Sequence, residues 1–154
     1  MDFTRSYFKD GSGVLVRKTS APLKAANFAK KRILAFEHTT GYAWVKKNWP
    51  EAEVLAKTLH GSPVEMVASG SVDAYVNDRA TLERLGESDD RVQVLAEYLT
   101  QEDWGLAVRK NRPDLLKKLN AALERLERNG ELKALANKWL KPKSAEALKM
   151  PEKK

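Results

Sequence analysis

The chain of 154 residues contains no cysteine and only two histidines, His38 and His60. Without cysteine it has no disulfide, no thiol nucleophile and no thiolate ligand for a metal. The histidines do not have the H-x-x-x-H spacing of a zinc site, so we expect neither a metal nor a cofactor. Long apolar runs are also missing, since none approaches the roughly 20 residues that a membrane-spanning helix needs. Met1 is followed at once by Asp2 and Arg5, so no signal peptide is expected in this chain.

Positive charge is plentiful but unevenly distributed. Lys and Arg number 28 against 21 Asp and Glu, which gives a formal net charge of +7. The middle third, residues 51–100, is nevertheless acidic, and much of the excess lies in the lysine-rich segment 141–154 and on predicted helix faces. Solvated lysines explain such a spread better than a binding surface does. We therefore expect no nucleic-acid partner.

Short apolar runs alternate with helical patterns up to about residue 110. The predicted strands are 14–18, 32–36, 53–59, 71–78, 92–98 and 104–110. A helix is predicted from Thr40 to Asn48, and another from Ser62, with Pro63 at its first position, Glu65 completing a capping box and Gly70 as its stop. Strands that alternate with helices of this length predict an α/β fold with a mostly parallel sheet.

One of these helices begins without the acid that would complete a capping box. Thr39 and Thr40 precede Gly41, and the positions that would hold Glu or Gln carry other residues. Two interpretations are open: an ordinary capped helix, or a helix N-terminus that receives an anion. Asp78 lies at another corner between a strand and a helix, and ligands of such sheets bind beyond the carboxyl ends of the strands.

After residue 110 the pattern changes to two amphipathic helices. The first starts at Pro113 and ends at Asn129-Gly130. Apolar residues at helical spacing define one face of each helix, and we expect them to point inward: Leu115, Leu119, Ala122, Leu123 and Leu126 in the first, Leu132, Leu135, Ala136 and Trp139 in the second. Residues 141–154 lack sustained periodicity and are expected to form a mobile basic tail.

Together, four segments in order resemble the bacterial periplasmic amino-acid-type solute-binding proteins, extracellular solute-binding protein family 3. They are "MDFTRSYFKDGSGVLVRK" at the start, "ILAFEHTTGYAWVKKNWPEAEV", "VASGSVDAYVNDRATLERL", and the closing "WGLAVRKNRPDLLKKLNAALERLERNGELKALANKWL". The resemblance runs from about residue 2 to residue 141. It implies a periplasmic-binding-protein-like (type II) second lobe with flanking helices, and a C-terminal helical pair that belongs to the first lobe.

The resemblance also divides the chain into parts. Residues 1–8 resemble the end of a first lobe and its crossover, 9–110 the second lobe, and 111–140 the helical pair. Most of the first lobe, with its aromatic clamp and carboxylate-binding arginine, has no counterpart in this sequence. The helical pair would then need another cover: it could fold back on the second lobe, pair with a second copy of the chain, or dock on a separately supplied first lobe.

Site residues carry over from the resemblance one by one. Thr40, flanked by Thr39 and followed by Gly41, would bind a ligand carboxylate, and Asp78 would accept the α-ammonium group. A helix N-terminus beside a carboxylate complements both ends of a zwitterion. Asp78 could equally serve as a helix cap, and the two roles are compatible. Asp73 resembles a structural aspartate of the family and is not assigned to the pocket.

One residue departs from the family pattern at the site itself. His38 stands where the family usually has glycine before the threonine pair. Its imidazole could narrow the pocket or add a group that titrates near neutral pH; a surface position is the alternative. We include it among the ligand-binding candidates.

The resemblance implies a binding module of an ABC uptake system, periplasmic by family, that takes a small zwitterionic ligand such as an amino acid. A membrane permease or sensor is the implied partner. The alternatives are a structural or oligomerisation unit without a ligand, a cyclohexadienyl-dehydratase-like enzyme, and an accessory domain of a lytic transglycosylase. Catalysis would need a poised acid or base, and only Glu37 and His38 lie near the corner, so no enzyme activity is expected.

Overall fold

The computed structural model describes residues 1–18, 24–56 and 61–140. The chain divides into two compact units, one formed by residues 11–101 and the other by residues 1–10 together with those from 102 onward. The sequence predicts a second lobe of residues 9–110; these bounds stay a prediction. The predicted mobile tail, His60 and the end of the predicted strand 53–59 lie outside the described residues.

Unit 2, residues 11–101, is built on a five-stranded sheet. Its strands are β3 (Ser12–Arg17), β4 (Arg32–Leu34), β5 (Glu53–Leu55), β6 (Ala74–Asp78) and β7 (Val92–Val94). Their order across the sheet is β5-β4-β6-β3-β7. β4 runs parallel to β5 and β6, whereas β3 lies antiparallel between β6 and β7. The predicted α/β alternation is therefore correct, and β3, which no helix precedes in this unit, is the strand that runs against the others.

Three helices connect the strands that share one direction. They are α1 (Thr40–Asn48), α2 (Pro63–Ser69) and α3 (Arg79–Gly86), and a 3-10 turn covers Ala25–Phe28. α1 follows β4, α2 follows β5 and α3 follows β6, which is the crossover arrangement predicted for such alternation. The termini of α1 agree with the sequence prediction. α2 starts at Pro63 and stops at Gly70, which has a left-handed backbone with φ 81°.

The two faces of the sheet carry separate apolar clusters. One contains Val14, Val16, Ile33, Val45, Trp49 and Val76, all buried. The other contains Leu15, Leu34, Val67, Tyr75 and Leu82, also buried. Neighbouring residues of β3 and β6 enter opposite clusters because side chains alternate along a strand. In β6, Ala74 and Val76 therefore face one cluster, and Tyr75 faces the other.

The capping box predicted for α2 does not form. Ser62 is the N-cap residue, but its side chain makes no capping hydrogen bond. The Glu65 carboxylate is instead engaged by Arg91 at 2.6 Å, and a carboxylate turned toward that guanidinium is not available to reach back to the cap. Pro63 remains at the start of the helix as predicted.

The other unit, unit 1, contains short strands and two helices. Its strands are β1 (Asp2–Phe3), β2 (Phe8–Asp10), β8 (Glu102–Trp104) and β9 (Ala107–Val108), paired antiparallel as β1 with β9 and β2 with β8. The predicted strand 104–110 is thus divided between β8 and β9. The helices are α4 (Pro113–Arg128) and α5 (Glu131–Trp139). Among the described residues no helix has both the length and the apolar character needed to cross a bilayer.

The prediction that the apolar face of α5 points inward is wrong for two residues. Leu135 is 47% exposed and Trp139 is 66% exposed, and no residue of α5 is fully buried. In α4 only Leu123 is buried. The apolar residues do lie at helical spacing on one face of α5, but burial also requires a partner surface. Within unit 1 the described residues do not bury Leu135 and Trp139.

Candidate functional site

The N-terminus of α1 is shaped by the two threonines. Thr39 is the N-cap residue: its hydroxyl oxygen accepts a hydrogen bond from Tyr42 N at 3.1 Å and its hydroxyl donates to Phe36 O at 2.7 Å. Thr40 is the first helical residue and is exposed. Since Thr39 fixes the helix start, Thr40 and Gly41 contribute the next N–H groups of the first turn.

Gly41 is buried, and its N–H group donates no hydrogen bond to another described residue. No acidic residue occurs in the first turn of α1, so the positive end of this helix is not balanced by a side chain of its own first turn. An anionic group of a ligand would be stabilised at this place.

Asp78 lies at the carboxyl end of β6 and at the N-cap position of α3. It is partly buried, and in the sheet it stands opposite Ser12, the first residue of β3. Arg79 N donates to Gly11 O at 2.9 Å, which fixes the turn from β6 into α3. The carboxylate is therefore held at one defined corner of the sheet.

Gly41 connects the helix start to that same corner. A Cβ atom at Gly41 would lie 2.9 Å from Val76 Cγ1 and 3.2 Å from Ser12 Oγ, so the backbone of α1 is packed directly on these two residues. Val76 precedes Asp78 by two positions on the same face of β6, and Ser12 is the cross-strand partner of Asp78. The structure thus places Gly41, and with it the start of α1, beside the corner where β6 ends at Asp78 and β3 begins at Ser12.

The charge of Asp78 affects the pKa of the buried Tyr75. Burial raises the pKa of the Tyr75 hydroxyl, a hydrogen bond from Asn77 Nδ2 at 2.7 Å opposes this, and the negative charge of Asp78 raises the pKa further. Tyr75 also contacts Phe36 edge to face, with ring centroids 5.9 Å apart. Tyr75 and Phe36 belong to the apolar cluster on the face of the sheet opposite Val76 and Gly41.

His38 has the left-handed backbone conformation, with φ 65°, which a residue with a Cβ atom rarely adopts. The imidazole is exposed, as is the neighbouring Glu37. The backbone at this position is thus of the kind that glycine adopts readily, which accounts for the glycine expected there from the resemblance. Among the described residues, no group of three or more side chains is arranged to hold a metal ion.

The sequence analysis missed a buried ion pair directly beside Asp78. Arg79 Nε donates to Glu83 Oε1 at 2.8 Å, and the two side chains are only 12% and 7% exposed. Arg79 Nη1 also donates to Leu95 O at 2.7 Å, and its guanidinium carbon lies 4.6 Å from the centre of the Tyr98 ring. The i, i+4 spacing of Arg79 and Glu83 is a signal for the pair, but nothing in the spacing indicates that it is buried.

A second missed feature is the pairing of Ser12 with Thr100. Ser12 N donates to Thr100 Oγ1 at 2.7 Å, and Leu99 N donates to Ser12 O at 2.8 Å. These bonds hold the start of β3 next to the last residues of unit 2. They support the corner at which Gly41 and Asp78 meet.

Known proteins resemble this chain along most of its length. Residues 1–142 match the model of the family described as bacterial extracellular solute-binding proteins, family 3. The chain is 30% identical over 147 residues to the ABC transporter glutamine-binding protein GlnH of Bacillus subtilis, covering 95% of this chain and 54% of GlnH. The chain thus spans about half the length of this curated relative.

Solved structures give the same result for the fold. A mutant of ArgBP from T. maritima superposes with a TM-score of 0.78 at 28% identity, over 91% of this chain and 62% of that protein. An ancestral amino acid-binding protein, described as a precursor of cyclohexadienyl dehydratase, superposes with a TM-score of 0.77 at 27% identity, over 90% and 61% of the two chains.

Proposed function

The chain belongs to the bacterial extracellular solute-binding proteins, family 3, and on that premise we propose that it binds an amino acid at the corner formed by Thr40, Gly41 and Asp78. Its relatives are amino-acid-binding components of ABC transporters, so the type of ligand and the transport context follow the family. The proposed binding residues are those that the resemblance implies.

The observation that carries the proposal is the packing of Gly41 on Ser12 and Val76, next to Asp78. It brings a helix N-terminus without acidic residues in its first turn close to a carboxylate. The α-carboxylate of an amino acid would accept from the N–H groups of Thr40 and Gly41 and from the Thr40 hydroxyl. Its α-ammonium would donate to Asp78, and each interaction would be a charge-assisted hydrogen bond.

The side chain of the ligand is not assigned by this corner. One relative is named for glutamine and others for arginine, which are residues of different charge that share the same backbone groups. We propose that the contacts described above recognise those shared groups. A membrane permease or sensor is the proposed partner, and the periplasmic or extracellular space is the proposed location, both by analogy with the family.

Two other functions are weaker. A structural or oligomerisation unit would not require a helix N-terminus without acidic residues in its first turn next to a carboxylate. A dehydratase would need a poised acid or base at the corner, and the two titratable side chains next to the threonines, Glu37 and His38, are both exposed. The neighbour related to cyclohexadienyl dehydratase is itself described as an amino acid-binding protein.

The test is an amide NMR titration of the whole chain with L-glutamine and L-arginine at millimolar concentrations. We expect saturable shifts centred on Thr40, Gly41 and Asp78. Asp78→Asn should weaken binding about tenfold or more, because a hydrogen bond to a charged group contributes about 1.5–3 kcal/mol.

Asp90→Asn is the matched control, since Asp90 is an exposed acid of the same unit, away from the corner, and its loss should leave binding unchanged. A well-dispersed spectrum with no shifts at the corner would reject the binding site and favour the structural unit. Shifts that survive Asp78→Asn unchanged would reject the assignment of the ammonium to Asp78.

A further inference from the structure

Unit 2 contains a cavity of about 260 Å³ at the end of its sheet opposite the proposed amino-acid site. Arg17 at the end of β3, Lys31 just before β4 and Asp73 just before β6 all line it. Ser12, at the other end of β3, belongs to the corner of Asp78. Five residue steps along a strand separate the two ends of β3, about 17 Å, so the cavity is a separate place from the corner.

The floor of the cavity is apolar. It is formed by side chains that are all buried, namely those of Val16, Phe28, Val67 and Val72. They come from β3, the 3-10 turn, α2 and the segment before β6, so both the sheet and its connections contribute. A ligand that rests on this floor gains free energy by covering apolar surface.

Two cations, Arg17 and Lys31, line the cavity. Within residues 1–18, 24–56 and 61–140 neither side chain forms a hydrogen bond or a close ion pair, although the charge of Lys31 acts on Asp73. The Arg17 guanidinium lies beside Gly70, where a Cβ atom would be 3.4 Å from Nη1 and 3.5 Å from Nη2. Gly70 thus leaves room for this guanidinium.

The remaining polar side chains of the rim are already engaged. Asp73 accepts from Arg32 N at 2.9 Å and from Arg32 Nε at 3.2 Å. Burial raises the pKa of the Asp73 carboxyl, but the hydrogen bonds and charge of Arg32, together with the charge of Lys31, outweigh that effect and lower it. Asn27 Oδ1 accepts from Lys24 N at 2.7 Å, which leaves the Asn27 amide nitrogen as a donor. The groups left for a ligand are therefore cations and a donor.

We propose that this cavity binds a small carboxylate with an uncharged apolar body, such as an arylacetate or a branched alkyl carboxylate. Its carboxylate would pair with Arg17 and Lys31, and its body would lie on Val16, Phe28 and Val72. A planar guanidinium is suited to a carboxylate because it can donate two parallel hydrogen bonds. The volume lies below the roughly 300–1,000 Å³ of pockets for drug-sized ligands, so the ligand is small.

The same arrangement disfavours the ligand proposed for the other corner. An α-amino acid would bring its ammonium group close to Arg17 and Lys31, and the carboxylate that could compensate, Asp73, is paired with Arg32. Like charges in one site repel. The two sites are therefore expected to select different ligands, and this inference does not depend on the proposed amino-acid function.

The test uses phenylacetate, with phenylacetamide as a neutral probe of the same shape and inorganic phosphate as an anion without an apolar body. Amide NMR spectra of the whole chain are recorded while each probe is added to millimolar concentrations. We expect saturable shifts from phenylacetate at Arg17, Phe28 and Val72, and none at Thr40 or Asp78. Phenylacetamide and phosphate should each bind about tenfold more weakly or worse, since each lacks one of the two interactions.

Arg17→Gln and Lys31→Gln should each lower the affinity for phenylacetate about tenfold. Lys18→Gln is the matched control, since Lys18 is an exposed cation next to Arg17 that does not line the cavity. The proposal is overturned if phenylacetate causes no shifts at the cavity, if phenylacetamide or phosphate binds as tightly, or if Lys18→Gln weakens binding as much as Arg17→Gln in folded samples.

Discussion

His38 holds a left-handed backbone conformation, with φ 65°, directly before the N-cap of α1. For a residue with a Cβ atom this conformation costs about 1–2 kcal/mol, and glycine avoids that cost but loses more backbone entropy on folding. The cost of the left-handed conformation is larger than the entropy that glycine loses. His38→Gly should therefore raise the free energy of unfolding by about 0.5–1 kcal/mol. Chemical denaturation with unchanged m-value is the appropriate measurement.

His38→Ala is the control for this prediction. It removes the exposed imidazole but keeps the Cβ atom, so it should not stabilise the protein. If His38→Ala stabilised the protein as much as His38→Gly, the gain would come from loss of the imidazole, and backbone strain would not be its cause.

At the scale of single residues, the sequence predicted where a residue lies in a helix better than which side chain it contacts. Thr39 was expected near a helix start and is the N-cap residue of α1. Glu65 was expected to complete a capping box, but its carboxylate pairs with Arg91, which is 26 positions away. A local motif can be read within a few residues, whereas competition from a distant guanidinium depends on the folded arrangement of the chain.

At the scale of elements, the contact of α1 with the sheet depends on the missing side chain of Gly41. Alanine in a helix is normally about 1 kcal/mol more favourable than glycine. Here the new Cβ would lie 2.9 Å from Val76 Cγ1 and 3.2 Å from Ser12 Oγ, and overpacking a buried contact costs about 1–3 kcal/mol. We expect Gly41→Ala to lower the free energy of unfolding by about 1 kcal/mol, as measured by chemical denaturation.

The cause of that loss can be isolated with a second substitution. Val76→Ala removes the closer of the two contacts, so the double variant Gly41→Ala/Val76→Ala should be less destabilised than the sum of the two single variants. Ala43→Gly, at an exposed position of the same helix, measures the propensity term alone. Additive effects in the double variant, or a stabilising Gly41→Ala, would contradict the steric explanation.

Helices and strands could be predicted where neighbouring residues in the sequence mark their ends. The ends of α1 and α2 are marked by threonine, proline and glycine, and the strands β4 and β6 by short apolar runs. The antiparallel position of β3 was not predictable, because strand direction depends on which neighbours pair with it. The residues of the proposed site follow from the family resemblance, and their positions at corners between strands and helices agree with it. The packing of Gly41 against Ser12 and Val76 could be seen only in the structure.

At the scale of the whole molecule, the described residues leave one apolar stripe partly exposed. Leu132, Leu135, Ala136 and Trp139 follow one another at helical spacing on one face of α5, and Leu135 and Trp139 are 47% and 66% exposed. The sequence showed the stripe, but it could not show what covers it, since burial is a property of the assembled surfaces. Covering an exposed large apolar side chain is worth about 1.5–3 kcal/mol, so this face of unit 1 favours association.

Purified alone, the chain can cover this stripe with a second copy of itself, so we expect its mass to rise with concentration in light scattering after size exclusion. Leu135→Lys/Trp139→Lys should return the mass to that of one chain, because each lysine replaces apolar contact by a solvated charge. Ala134→Lys/Asn137→Lys adds the same charge to the opposite, exposed side of α5 and should leave association intact. A mass of one chain at every concentration would contradict self-association through α5. If both double variants lost association equally, the added net charge would be the cause, and the apolar stripe of α5 would not be the surface through which two copies associate.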